Sequence, residues 1–179
     1  MVRTAKVTVL PYSAAWKTAF KQIKAELEAA AGGLLLGVEH VGSTSVEGMS
    51  AKPIIDIDAV IESDAVFPAL KQRLAAIGYY HEGDLGIAGR EAFGYEGKGH
   101  LAKHHLYVCV QNSRELHRHV TFRNYLRSHP DAAAEYSRVK EEAAQLYPND
   151  IDAYMRHKAP CIAALYQRCG LAEAGGAQQ

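Results

Sequence analysis

Cysteine is scarce in this chain: three residues, an odd number, with no CxxC pair. That excludes a disulfide framework and a structural zinc site built on paired thiols. Long apolar runs are missing as well. No segment approaches the ~18 apolar residues that a membrane span needs, and Met1 to Val7 show no apolar region of the signal-peptide kind. Net charge is absent too, with 20 basic against 20 acidic residues. This removes a broad electrostatic case for nucleic-acid or membrane binding, though not a local basic patch. Internal repeats are lacking, and low complexity is confined to the tail. The expectation is a cytoplasmic, reduced, soluble protein. What is present is a chain of 179 residues, 48% hydrophobic and 22% charged, enough for one domain with a real core. Nine histidines and ten tyrosines stand against four phenylalanines, which points to polar chemistry near the core.

Periodicity predicts the elements. Trp16, Phe20, Ile23 and Leu27 repeat at helical spacing over 12–30, with Ser13 as N-cap and Gly32-Gly33 as the stop. A short buried strand is expected from Leu34 to Val41, ended by Gly42, and a stronger one over 53–61. A helix follows from Asp64 or Pro68, with Leu70, Leu74 and Ile77 inward and Gly78 as its end. The stretch 82–99 holds six of the fifteen glycines and reads as loop around one strand near 91–95, either a lid or a plain mobile loop. A strand is expected over 104–110, then helices over about 114–128, 131–146 (Tyr136, Val139, Ala143 and Leu146 as its stripe) and 150–168, the last kinked or split by Pro160. Residues 1–171 form one domain in this reading, and 172–179 a disordered tail. The order implies an α/β (α+β) fold, a small mixed sheet packed with helices and a helical C-terminal third, not a doubly wound parallel sheet.

Side chains alternate along a strand, so Asp56 and Asp58 share one face of 53–61, and Ile55, Ile57, Ala59 and Ile61 the other. The aspartates' Cα atoms then lie roughly 6.6–6.8 Å apart, close enough for both carboxylates to converge on one cation. Two like charges inside an apolar strand repel and lose hydration unless a cation compensates; on a face open to water they would cost little. Hard oxygen ligands favour Mg2+ or Mn2+ over zinc. Upstream, Gly42, Ser43, Thr44 and Ser45 follow a strand directly. Glycine allows a tight turn whose backbone N–H groups can cradle phosphate oxygens; a simple helix cap is the plainer alternative. Ser43 precedes Asp56 by thirteen residues, room for a short helix and a return strand.

The pattern Val41-Gly42-Ser43, twelve residues, then Asp56-Ile57-Asp58-Ala59 resembles the nucleotidyltransferase superfamily signature. The longer phrase from His40 to Val46, with Gly48 and Ala51-Lys52-Pro53-Ile54-Ile55-Asp56-Ile57, resembles the GrpB family in particular. So do Tyr12 with Trp16 and Phe20, Gly78-Tyr79, His105-Leu106, the run Phe122 to Arg127, Tyr136 with Lys140, and Tyr154 with Lys158. The resemblance spans about residues 8–166 and implies a small nucleotidyltransferase-like fold; some relatives are fused to dephospho-coenzyme A kinase. It implies Asp56 and Asp58 as metal ligands and catalytic groups, and Gly42, Ser43, Thr44 and Ser45 as the phosphate turn. Lys52 and Arg90 are placed to reach a triphosphate. One departure stands out. The family commonly shows His-x-His in the later strand, where this chain has His105-Leu106-Tyr107, and no third carboxylate lies on that strand. His105 is then either the replacement base or ligand, or a structural histidine at a sheet edge; Glu91 and Glu96 are weaker substitutes. Arg123, Lys140 and Lys158 lie on helices, where being solvated or paired is at least as good a reading as reaching a phosphate, and Cys161 and Cys169 read as ordinary residues. His100, His104, His105, His117 and His119 fall on mixed faces without partner thiols, against a zinc site.

Two functions follow as expectations. The first is transfer of a nucleoside monophosphate from a nucleoside triphosphate to a small acceptor, with Mg2+ or Mn2+ on Asp56 and Asp58 and His105 as base. The second is a non-catalytic nucleotide- and metal-binding module serving a partner such as a coenzyme A-pathway kinase.

Overall fold

The apolar face of strand 53–61 decides the layering. A computed structural model describes residues 6–171; the tail expected to be disordered lies outside them. Five strands form one mixed sheet: β1 (Gly37–Val41), β2 (Ile55–Ile61), β3 (Tyr79–Gly83), β4 (Glu91–Tyr95) and β5 (His104–Val110), in the order β1-β2-β5-β4-β3. Only β2 and β5 run parallel; the other three pairings are antiparallel. β2 lies inside the sheet, as its near-continuous apolar character predicts. Ile55, Ile57 and Ile61 pack with Leu106 and Val108 against α1 (Ala15–Ala31), through Trp16, Ile23 and Leu27, and against α2 (Phe67–Ala76), through Leu70 and Leu74. Each such side chain contributes about 1.5–3 kcal/mol on burial.

The opposite face carries Asp56, Asp58 and Val60 on β2 with His105, Tyr107 and Cys109 on β5. It is covered by α3 (Arg114–Ser128), α4 (Pro130–Leu146) and α5 (Ile151–Arg168). These helices meet the loop after β1 in a second apolar cluster of Val46, Met49, Leu126, Tyr136 and Leu165. Ser113 caps α3, accepting from the Leu116 N–H, and Asp150 caps α5, accepting from the Ala153 N–H.

Several boundaries differ from the sequence expectation. α1 begins at Ala15, and Ser13 makes only a local bond, accepting from the Ala15 N–H at 3.3 Å. β1 starts at Gly37 instead of Leu34: left-handed Gly32 closes α1 on the Glu28 carbonyl, the Leu34 N–H stays bonded to Ala31, and Leu36 is 57% exposed. β2 starts at Ile55, since Pro53 has no N–H and the Ile54 N–H turns back to Lys52. β3 is not expected from the sequence; it is five residues long, and a bulge between His81 and Gly83 breaks its alternation. The stripe of α4 ends early, leaving Leu146 exposed. α5 runs unbroken through Pro160, in a turn where Arg156, Ala159 and Pro160 are all exposed and the carbonyl freed by the missing N–H can meet water. No helix among the described residues is long and apolar enough to cross a membrane.

A proline inside an exposed helical turn disfavours that helix by up to ~3 kcal/mol relative to alanine. Pro160→Ala is therefore expected to stabilise the protein by roughly 1–3 kcal/mol in a urea titration; a loss of stability would mean that the proline shapes α5 in a way its neighbours depend on.

Candidate active site

Antiparallel pairing sets Val41, the last residue of β1, opposite Asp56. The chain must turn there against a carboxylate. Gly42 has φ +66° and ψ −176°, a region in practice closed to side-chain-bearing residues, and a Cβ on it would stand 2.2 Å from Asp56 Oδ2. Ser43–Ser45 then form a single 3-10 turn. The turn is pinned from within. The Ser45 hydroxyl donates to the Gly42 carbonyl (2.6 Å), and Arg127 donates twice to the Ser45 carbonyl (3.1 and 2.9 Å). The Thr44 hydroxyl donates to the Ile54 carbonyl (3.5 Å) and lies 3.0 Å from His40 Nε2. His40 stacks on Phe20 at 4.6 Å, and burial pushes its pKa down to about 4, so it is neutral at pH 7. The Thr44 and Ser45 side chains thus hold the turn, while Ser43 opens on the cleft.

Both aspartates share a face, and each is tied to a histidine. His105 Nδ1 is 2.9 Å from Asp56 Oδ1, and His119 Nδ1 of α3 is 2.8 Å from Asp58 Oδ2. Asp56 is half-buried and lines the cleft; Asp58 is wholly buried behind it. Burial pushes the Asp58 carboxyl above the usual carboxylate range, partly opposed by His119. Asp58 Oδ1 is buried with no hydrogen-bond partner among the described residues, and Asp56 turns Oδ2 toward Gly42. An orphaned buried carboxylate oxygen beside a second carboxylate fits a hard cation, and Mg2+ commonly takes one or two carboxylates, completing its shell with water and phosphate. A third carboxylate is not assembled: among the described residues no group of three or more His, Cys, Asp or Glu side chains could hold a metal. Opposite Asp56 and Asp58 on β5 stand His105 and Tyr107. Glu39 lies across from Asp58 on β1 but is taken up by Arg123 at 2.5 Å. Glu91 pairs with Val108 in the sheet, on the face away from the aspartates, and bonds His81 at 2.5 Å; Glu96 is exposed. His104 is structural, stacked on Tyr95 at 4.2 Å and bonded to the Tyr79 hydroxyl at 2.9 Å.

Two cavities meet at Asp56, sharing Ser43, Arg90, Tyr107 and Lys158. The larger, about 480 Å3, gathers Lys52, Arg90, Lys140 and Lys158 with His105 and Tyr154. Lys140 is 2% exposed, lies 4.5 Å over the Tyr136 ring and donates to the Ser50 carbonyl. Burial, with Lys158 adding repulsion, pushes its pKa down to about 7. Lys158 and Lys52 lie over the same Tyr154 ring, at 5.2 and 5.7 Å. Burial and Lys52 push Lys158 down to about 8, and burial lowers Lys52 as well. The Arg90 guanidinium sits 4.3 Å over the Tyr107 ring, with its Nε buried and without a hydrogen-bond partner among the described residues. The smaller cavity, about 280 Å3, is walled by aromatic residues and reached by His119.

Of the residues singled out in the sequence, Gly42, Ser43, Lys52, Asp56, Arg90 and His105 meet at one cleft, with Asp58 behind them. Lys140, Lys158, Tyr107 and His119 join them without having been singled out as site residues. A signal exists for the lysines: each follows a tyrosine by four positions, Tyr136 to Lys140 and Tyr154 to Lys158, so ring and ammonium share one helix face. His119 carries no such signal, because its partner Asp58 is 61 residues away.

Residues 6–168 match the family described as GrpB protein. The UPF0157 protein YqkA of Bacillus subtilis is 35% identical over 153 residues, which cover 86% of this chain; the chain spans 44% of that protein's length. The crystal structure of the conserved protein GrpB from Enterococcus faecalis matches with a TM-score of 0.76 at 34% identity, covering 90% of this chain and 99% of that one. The Cid1 poly(U) polymerase, solved with MgGTP bound, matches with a TM-score of 0.51 at 15% identity over 73% of this chain and 42% of its own, a likeness of fold alone. The fold is nucleotidyltransferase-like, and the chain belongs to the GrpB family.

Proposed function

We propose that this chain is a metal-dependent nucleotidyltransferase, moving a nucleoside monophosphate from a nucleoside triphosphate to a small acceptor. One observation carries the reading: a cavity lined by four cations and an adjoining aromatic cavity share the Asp56 carboxylate. Asp56 and Asp58 would hold Mg2+ or Mn2+. Such a cation, when bound, would offset the negative charge that develops on the phosphates during transfer. Lys52, Arg90, Lys140 and Lys158 take the triphosphate oxygens, and Ser43 with the Gly42 backbone orients them. The attacking oxygen or nitrogen of the acceptor bonds to the α-phosphorus, the bond to the β-phosphate's bridging oxygen breaks, and pyrophosphate leaves in line. The acceptor's proton passes to a histidine. His105 lines the cationic cavity and His119 the aromatic one, so alanine variants of the two separate their roles.

One observation favours the second reading, a nucleotide- and metal-binding module for a partner such as a coenzyme A-pathway kinase: β5 presents His105 and Tyr107 to the two aspartates instead of a carboxylate. Incubation with each labelled triphosphate, magnesium and an acceptor panel decides between them. Pyrophosphate release supports transfer, with a loss of about 10²–10⁴-fold in turnover when the base histidine becomes alanine. Binding without release supports the module.

Asp56→Asn combined with Asp58→Asn is expected to abolish magnesium-dependent nucleotide binding and to leave the apo melting temperature unchanged or higher. Burial already disfavours the Asp58 charge, and the amide oxygen that replaces its Oδ2 can still accept from His119. An apo melting temperature well below wild type would assign the aspartates to the fold.

The lysines add a pH test. Lys140 and Lys158 bind fewer protons when folded than when unfolded between about pH 7 and the ordinary lysine value of 10.5. Apo stability should therefore rise with pH from 7 to 9. Triphosphate affinity should move the other way, falling by roughly tenfold or more from pH 6 to 9 as ammonium donors are lost. Lys140→Met should flatten both curves. An affinity constant over that range would remove the lysines from the phosphate site.

A further inference from the structure

We infer that the smaller cavity is the acceptor site, and that the acceptor is a small, uncharged aromatic molecule bearing a hydroxyl or amine. The inference rests on the transfer reading above and names the substrate class it leaves open. Three helices each send a ring to this cavity: Phe122 from α3, Tyr136 from α4 and Tyr166 from α5. Phe122 meets Tyr166 edge-on at 4.7 Å and Tyr136 at 6.2 Å, and Tyr107 of β5 adds a fourth ring. Edges and faces so arranged offer a flat ring offset and edge-on partners on several sides. A volume of about 280 Å3 stands at the low end for ligand pockets and leaves no room for a nucleic-acid strand.

Charge narrows the class. Arg123 is already neutralised, bonded to Glu39 at 2.5 Å and to the His40 carbonyl at 3.1 Å. Arg90 and Lys158 are shared with the cationic cavity, where the triphosphate takes them up. With those claimed, this side keeps no surplus cation among the described residues for an anionic acceptor, and Asp56 is part of its wall. An acceptor seated here lies beside Asp56 and next to the cavity that takes the phosphates, within reach of the α-phosphorus from a separate compartment.

The test uses the full chain and two independent readouts. Tyrosol and 5-hydroxytryptophol, both neutral aromatic alcohols, are titrated by ligand-observed NMR beside the saturated 2-cyclohexylethanol, and binding of MgATP, MgGTP, MgCTP and MgUTP is measured separately by calorimetry. The aromatic alcohols are expected to bind about tenfold more tightly than the saturated one. Phe122→Leu, which keeps an apolar side chain but removes the ring, should weaken them by about fivefold to tenfold without changing nucleotide affinity. Met155→Ala, at an exposed position of the other cavity, should leave them unchanged. Equal binding of aromatic and saturated alcohols, or indifference to Phe122→Leu, overturns the acceptor assignment while binding of any of these nucleotides leaves the transfer reading standing. Aromatic binding in a protein that binds none of the magnesium nucleoside triphosphates overturns the transfer reading, and with it the role of the cavity as an acceptor site.

Discussion

The close approach of the Gly42 backbone to the Asp56 carboxylate organises the candidate site. Because Val41 pairs with Asp56, the first residue beyond β1 has to turn directly over that side chain. A Cβ at 2.2 Å from Oδ2 would force either the carboxylate aside or the turn away from the sheet. Glycine removes the conflict and supplies the dihedral angles the turn needs. The surroundings then hold it: His40 and Thr44 from below, the Ser45 hydroxyl from within, Arg127 from α3. Ser43 is thereby placed at the rim of both cavities.

Opposite this anionic floor stand cations that the fold gains little by keeping. Lys52, Arg90, Lys140 and Lys158 come from four separate segments, and burial lowers all three lysines. Rings under the ammonium groups return about 0.5–2 kcal/mol each, less than the loss of hydration of a buried charge. Among groups facing the cluster, Asp56 raises the Lys140 and Lys158 values and Glu141 that of Lys140, yet neither outweighs burial. A cluster of this kind is disfavoured when empty and stabilised by a polyanion, since whatever binds the folded state alone stabilises it. That asymmetry supports a phosphate-binding role more directly than any single contact does.

How far the sequence speaks depends on whether a feature is local. Strand β2 and the facing of its aspartates follow from its apolar run and alternation, and β5 with the three last helices from local pattern, because each is decided by residues near one another in the chain. The need for glycine at position 42 is legible only as a motif; its physical reason, the Asp56 contact, requires the register of β1 on β2. β3 is hidden by its bulge, and the continuity of α5 through Pro160 by the exposure of that turn, which no pattern of residue types reveals. The Asp58–His119 pair is not legible, since it depends on how α3 lies across the sheet.

The two cavities are linked through shared walls. Tyr136 lines the aromatic cavity and at the same time underlies Lys140, which lines the cationic one. Lys158 and Tyr107 reach both. Helical spacing of four residues makes this sharing unavoidable: a helix face that offers a ring to one side presents its next long side chain one turn further along the same stripe. α4 and α5, packed on each other and on the loop that leaves the Gly42 turn, therefore position rings and charges as one body. In a close-packed interior such a body shifts as a whole or not at all, so the spacing between the cationic side and the aromatic side, which share Asp56, is set by helix packing.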